Sequence, residues 1–221
     1  MHVFEQLRLW VDAVPRSGPE AMAVDEWLLE TTQLPVLRVY RWAGEWASLG
    51  YFGAIAAARE SFPGVSLVRR WTGGGLVDHR TDWTYSVVAP ATEALARWRG
   101  AESYRSIHAA LAATLAAEGI SARLSHGVEV TDAALCFENP VHHDLLGADG
   151  RKLAGAGQRR TRLGLLHQGS VAGICPHEGR AEAFAGQLAG SWSAESPCLA
   201  LADLASRVAA RYARDGWNQR R

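Results

Sequence analysis

Lys152 is the only lysine in a chain whose Lys and Arg residues number 23. Arginine is a planar, permanently charged fork, whereas lysine is a compact point charge whose pKa burial can tune. A chain that writes arginine everywhere else marks its one lysine for a task a guanidinium does not fill; the alternative is an incidental surface lysine after a turn. The flanks favour the first. Two apolar runs, residues 141–146 and 152–157, are joined by Gly147-Ala148-Asp149-Gly150, and Asp-Gly in such a link signals a hairpin. Lys152 then stands early in the second strand. Behind it Ala154-Gly155-Ala156-Gly157 keeps side chains short. Glycine in a strand marks the close approach of a ligand or another backbone, or a bulge. A lysine beside bare backbone is placed to meet a substrate carbonyl or phosphate.

A second cluster is Arg69-Arg70-Trp71-Thr72-Gly73-Gly74-Gly75, directly after a β-rich run. Three glycines there make a loop whose N–H groups face a ligand without Cβ atoms in the way. The arginine pair adds positive charge, so phosphate, carboxylate or a polarised carbonyl would suit it. Neither GxxxxGK[ST] nor GxGxxG is present, which sets aside the P-loop and dinucleotide fingerprints. Cys136 lies sixteen residues before Lys152. A cysteine between Leu135 and Phe137 is by default a buried, inert thiol, and it becomes a nucleophile only beside a cation that favours the thiolate. Lys152, His79, His142 and His143 are the candidates to supply one. Any of His79, His142, His143 and His167 can act as a base, although a structural histidine is the commoner outcome. Asp25 and Glu26 read as exposed helix charges rather than catalytic acids.

These residues need a scaffold. Residues 6–14, 36–42, 65–71, 83–88, 120–124, 128–130 and 163–171 read as strands, and 21–30, 104–118, 178–189 and 199–213 as helices. Arg159-Arg160-Thr161-Arg162 reads as a solvated turn. Alternating strands and helices with several hairpins imply an α+β fold around a mixed or antiparallel sheet, in one domain over residues 1–221. Charge is balanced at 23 basic against 23 acidic residues, which leaves no overall footprint for nucleic acid or an anionic membrane. No run approaches the ~18 apolar residues of a membrane span. No secretory signal opens the chain. Three cysteines, Cys136, Cys175 and Cys198, make no disulfide framework and no metal pair, so a soluble cytoplasmic protein is expected.

Several stretches together resemble one family. They are Met22-Ala23-Val24-Asp25-Glu26, the run LRVYRWAGEWASLG at 37–50, the block from Arg69 through Gly73-Gly74-Gly75 to His79, Thr84-Tyr85-Ser86, Gly150-Arg151-Lys152-Leu153-Ala154-Gly155, and His167-Gln168-Gly169-Ser170. In this order they are similar to the lipoate–protein ligase A and octanoyltransferase superfamily, which shares its catalytic domain with biotin protein ligases. The biotin-ligase glycine loop GRGRxGR is absent. The resemblance spans roughly residues 20–172. It implies an α+β catalytic domain that modifies one lysine of a lipoyl domain of a 2-oxoacid dehydrogenase, or of a glycine-cleavage H protein. By that match Arg70, Thr72, Gly73, Gly74, Gly75 and His79 line the acyl tunnel, with Gly155 and Ala156 beside it. Lys152 contacts the acyl carbonyl, where one cation stabilises the oxyanion.

The superfamily divides by mechanism. Ligases activate free lipoate with ATP and Mg2+ and need no protein nucleophile. One octanoyltransferase branch carries a cysteine before the hairpin in a CF-x-x-P context and takes octanoate from acyl carrier protein as a thioester. Cys136-Phe137-Glu138-Asn139-Pro140 matches that placement, so Cys136 and Lys152 are the expected catalytic pair, with no cofactor. The chain ends some fifty residues after the last motif, so the accessory domain of many ligases is not expected, which favours transfer or a ligase with a separate partner subunit. An ATP-dependent ligase and a non-catalytic acyl- or lipoyl-domain-binding protein are the alternatives.

Overall fold

The computed structural model describes residues 2–127, 141–174 and 177–220. The chain opens with a long strand, β1 (Phe4–Arg16), and a helix, α1 (Gly18–Thr31), whose start is closed by a capping box between Ser17 and Glu20. Then come β2 (Val36–Trp42), β3 (Trp46–Leu49), a short α2 (Ile55–Ser61), β4 (Ser66–Arg69), β5 (Leu76–Asp78) and β6 (Asp82–Pro90). A one-turn α3 (Ala94–Arg97) leads into α4 (Gly100–Ala117). The strands β7 (Arg123–Leu124), β8 (Leu145–Leu146), β9 (Lys152–Thr161) and β10 (Gly164–Ala172) follow, then α5 (Arg180–Leu188) and β11 (Ala189–Ala194). The last part is α6 (Leu201–Arg207), a π-helical turn (Val208–Tyr212) and α7 (Asp215–Asn218).

Among the described residues the strands form an eight-stranded sheet, β11-β1-β2-β6-β10-β9-β8-β7, and a small sheet, β4-β3-β5. The large sheet is mixed: β1 runs parallel to both β11 and β2, and the remaining pairs are antiparallel. Strand side chains alternate between faces, and here both faces are covered. Leu37, Tyr85, Val87, Leu165 and Val171 join one core with Ile107, Leu111 and Phe184 of α4 and α5. Val36, Tyr40, Val88 and Leu166 join the other with Met22, Val24 and Leu28 of α1 and with Leu204 and Tyr212.

The α+β class and mixed sheet match the sequence reading, and several elements correct it in detail. Arg159 to Thr161 belong to β9 rather than to a turn, because they pair with β10 from Leu166 to Gly164. The pairing of β11 with β1 had no signal, since Ala189-Gly190-Ser191-Trp192-Ser193-Ala194 has little β character and a mostly exposed pattern. The strand expected over 128–130 lies outside the described residues. No helix among the described residues is long and apolar enough to cross a membrane.

Asp25 and Glu26 are the largest correction. Both are buried. Asp25 Oδ1 accepts from Arg38 Nη1 at 2.7 Å, and its Oδ2 accepts from Ser86 Oγ at 2.6 Å and Gln168 Nε2 at 2.7 Å. Arg38 is fully buried, donates to Asp12 Oδ2 at 2.8 Å, and has its guanidinium carbon 4.0 Å from the Tyr40 ring centre. Asp25 on α1 therefore has partners on β2, β6 and β10, and Arg38 links it to Asp12 on β1. Removing one partner of such a pair leaves a buried charge uncompensated. Asp25→Ala should lower unfolding free energy by about 3–5 kcal/mol, read as a fall in the urea midpoint; a change below about 1 kcal/mol would show that the network contributes little.

Candidate active site

The hairpin forms as its sequence implies. Gly147 N donates to Arg151 O at 2.9 Å, Gly150 N donates to Gly147 O at 3.0 Å, and Gly150 takes φ +78°. The turn puts Lys152 at the first position of β9, one-tenth exposed at its side chain, with Nζ 2.9 Å from Asp144 Oδ2. Asp144 is fully buried. Its Oδ2 also accepts from Val141 N at 2.8 Å, and its Oδ1 accepts from the Tyr104 hydroxyl at 2.5 Å. That hydroxyl accepts in turn from Ala156 N at 2.7 Å, so its one proton is committed to Asp144. Burial, and then the negative charge of Asp144, push the Tyr104 phenol well above its usual pKa and keep it a donor. Tyr104 comes from α4 and Ala156 from β9, and together they fix the carboxylate that holds the ammonium.

Gly155 explains why Lys152 lies where it does. A Cβ there would sit 2.5 Å from Lys152 Cε and 2.8 Å from Nζ; the missing side chain is the space the lysine occupies. Gly157 does the same for the glycine loop, since a Cβ would meet Gly73 O at 2.3 Å and Thr72 Oγ1 at 2.9 Å. The run read as small-residue clearance thus has two functions: one glycine admits the lysine and the next lets the loop descend onto β9.

Arg70 holds that loop from inside. Its Nη2 donates to Gly75 O at 2.8 Å and Gly73 O at 3.3 Å, and its Nη1 donates to Ser48 O at 2.8 Å and Ser48 Oγ at 2.6 Å. The line continues from Ser48 Oγ to His79 Nε2 at 2.5 Å and from His79 Nδ1 to Asp82 Oδ2 at 2.7 Å. The His79 ring stacks on Trp42, with centroids 4.1 Å apart. Arg69 corrects the expectation that both arginines charge the loop. It is fully buried and turned the other way, donating to the carbonyls of Gly50, Tyr51 and Gly53 and to those of Trp217, Asn218 and Arg220. A donor fork with six backbone acceptors is a structural clamp.

These parts surround one cavity of about 180 Å³. Arg70, Gly74, Gly75, His79, Lys152, Gly155 and Ala156 all line it, against apolar walls from Met22, Tyr40, Trp42, Leu76 and Val77. Thr72 and Gly73 do not line it. Thr72 is buried behind the loop and donates to Gln168 Oε1 at 2.8 Å, so it joins the loop to the Asp25 network. Cys136 lies outside the described residues; Val141, shortly after it in the chain, lines the cavity. His142 and His143 sit at the surface with their rings 3.9 Å apart. His167 is fully buried and within hydrogen-bonding distance of Gln158 and Tyr85, a structural placement. Sequence reasoning missed Asp144 and Tyr104. An acid in the first arm of the hairpin, directly before the Leu145-Leu146 strand, was the available signal for Asp144; Tyr104 had none, because only the fold brings α4 beside β9.

The chemistry available is that of an ammonium held by Asp144 and a glycine loop, both lining one largely apolar cavity. The match to the lipoyl protein ligase A/B catalytic domain covers residues 17–176. The chain belongs to that family. Among curated relatives it is 36% identical over 172 residues to octanoyltransferase LipM of Carboxydothermus hydrogenoformans, covering 73% of this chain and 63% of the relative. It is 36% identical over 164 residues to the LipM of Moorella thermoacetica, covering 68% and 59%. The chain thus spans a little under two thirds of the length of the curated relatives it matches. The fold is that of a lipoate-protein ligase A solved with ATP, at TM-score 0.69 and 20% identity over 99% of both chains. A T. acidophilum protein solved with bound lipoic acid superposes at TM-score 0.71 and 20% identity over 100% of both.

Two measurements probe this family member's site. Gly157→Ala should destabilise by roughly 1–3 kcal/mol through overpacking against the Gly73 backbone, while Gly73→Ala, where a Cβ meets nothing within 4 Å, should cost under about 1 kcal/mol; equal urea midpoints would refute the assigned clearance. His108, packed at a tilt against Tyr104 and donating through Nδ1–H to His143 O at 2.7 Å, has its pKa lowered from 6.5 to about 4 by burial. The unfolded chain therefore binds this proton first as pH falls, so stability is complete above about pH 6.5 and is lost between there and about pH 4, by up to roughly 3 kcal/mol. His108→Phe should flatten that part of the stability–pH curve, and an unchanged slope would assign the loss to other groups.

Proposed function

We propose that this chain is a cytoplasmic acyltransferase that moves an octanoyl group through Cys136 onto a lysine of a lipoyl domain or glycine-cleavage H protein. The observation that carries this reading is Lys152 held by Asp144 at the wall of an apolar cavity that the glycine loop also lines, in a family member whose curated relatives are octanoyltransferases. The cavity suits an acyl chain: apolar walls take the methylenes, while the ammonium meets the carbonyl end. Residues 1–221 would act as one catalytic domain.

Two acyl exchanges complete the reaction. The Cys136 thiolate attacks the carbonyl of an acyl-carrier thioester; the new C–S bond forms, the old one breaks, and the carrier leaves as its thiolate. The acceptor lysine, as the free amine, then attacks the acyl-cysteine; a C–N bond forms, the C–S bond breaks, and the amine proton returns to sulfur. Both steps pass through a tetrahedral oxyanion. Lys152 would stabilise each one as a cation already in place, and Asp144 and Tyr104 hold it there so that little reorganisation is needed. Similar bond energies on the two sides of the first exchange leave no need for ATP.

ATP-dependent ligation is the competing reading. It drew on the arginine pair beside the glycine loop, and the backbone role of Arg69 removes half of that pair. Incubation with octanoyl-acyl carrier protein without ATP should add one octanoyl mass, labile to hydroxylamine and absent in Cys136→Ala. Lys152→Ala should slow transfer by about 10²–10³-fold, the scale of a lost oxyanion donor. No adduct, with acceptor modification only when lipoate and ATP are supplied, would overturn the transferase reading and return Cys136 to a structural role.

A further inference from the structure

Outside the cavity, three arginines and three aromatic rings alternate in a closed circuit. Arg159 stacks on Trp71 at 5.1 Å and on Tyr51 at 5.4 Å; Arg211 on Trp71 at 4.7 Å and Trp217 at 5.2 Å; Arg220 on Trp217 at 5.3 Å and Tyr51 at 5.4 Å. Tyr51 and Trp217 close it edge to face at 5.6 Å. Beside the circuit stands Phe52, 81% exposed, touching Tyr51 edge to face. Arg211 has a carboxylate partner in Glu26. Among the described residues no carboxylate pairs with Arg159 or Arg220.

The position of this patch is informative. Arg159 is two residues beyond Gly157 on β9, so both project to the face on which the glycine loop lies. Tyr51 N donates to Thr72 O at 2.9 Å, which joins the turn bearing Phe52 to the base of the same loop. The turn is rigid. Arg69 takes the carbonyls of Gly50, Tyr51 and Gly53 with one guanidinium nitrogen, at 2.7–3.2 Å. A large apolar side chain is thus presented to solvent on a braced turn, beside the arginine–aromatic circuit and joined through Tyr51 to the base of the glycine loop. Arginine and aromatic residues dominate interface anchors, and a preorganised anchor loses less entropy on binding.

We infer that Phe52 and the Arg159–Arg211–Arg220 circuit form the docking surface for the acceptor protein domain, one that presents its target lysine on an acidic surface with an apolar spot for Phe52. This deepens the acyl-transfer reading and rests on it for the identity of the partner. The charge argument is local, because the chain as a whole is balanced; a cationic rim then selects an acidic domain by steering and by complementarity. The aromatic faces are already occupied by the guanidinium groups, which favours a protein surface over stacked bases.

The test measures binding apart from catalysis. The full chain is titrated with a purified lipoyl-type acceptor domain, and affinity is read by calorimetry for the wild type, Phe52→Ser and Arg220→Glu. Each variant should weaken binding by about tenfold or more, the scale of a lost anchor, and raised salt should weaken the wild type toward the Arg220→Glu value. Acyl loading of the chain by the donor, measured without acceptor, should be unchanged in both variants, as should their thermal midpoints. Unchanged acceptor affinity in the two variants would overturn the proposal, as would no binding to the wild type. So would displacement of the acceptor by a single-stranded oligonucleotide that binds the patch more tightly. If the acceptor binds as expected but no acyl group is ever transferred, the docking surface stands and the acyl-transfer reading fails.

Discussion

A buried guanidinium with carboxylates on two sides organises the centre of this molecule. Arg38 lies in the middle of β2, fully out of water, between Asp12 of β1 and Asp25 of α1. Neither the charge nor the acids could be there alone, since an isolated buried ion is far too costly. Once paired, Asp25 has acceptor capacity left, and Ser86, Gln168 and through Gln168 the hydroxyl of Thr72 use it. The position of the glycine loop is therefore linked, by hydrogen bonds that each need the next, to the register of four strands. A shift of α1 along the sheet would strand a carboxylate and release Thr72 together.

The second constraint is steric. The loop and Lys152 approach β9 from one side, and both need backbone where other residues would put a Cβ. Gly155 and Gly157 are two apart, as a strand requires for one face. With them in place, Lys152 is set by Asp144 from β9's own hairpin and by Tyr104 from α4. A cation positioned in this way has lost its rotamer freedom before any substrate arrives, which is what electrostatic stabilisation of a developing oxyanion requires.

Two arginines adjacent in sequence have opposite tasks. Arg70 points into the site and fastens the carbonyls of Gly73 and Gly75. Arg69, one residue earlier on β4, faces away and fastens the Tyr51 turn to the segment around α7. The strand alternation that separates them gives the glycine loop an inner and an outer brace. The outer brace also sets the exposed face where Tyr51, Phe52 and Trp217 gather.

The sequence by itself determined the local devices. The Asp-Gly hairpin, the single lysine at its exit, the small-residue run behind it and the glycine loop all follow from the conformational demands of a few neighbouring residues, and their order sufficed to identify the family. The paired strands and the main helices were legible for the same reason, as apolar periodicity is a local property. What only the tertiary structure decided is which distant groups meet. Asp25 and Glu26 read as surface charges because their partners, Arg38, Ser86, Gln168 and Arg211, lie on other elements. Tyr104 read as a helix residue and became the brace for Asp144. Arg69 read as a site cation and became a backbone clamp, and Arg159 moved from a turn into a strand. Burial and pairing depend on sheet order and on how α1 and α4 lie across it, and no residue's own neighbours along the chain record either.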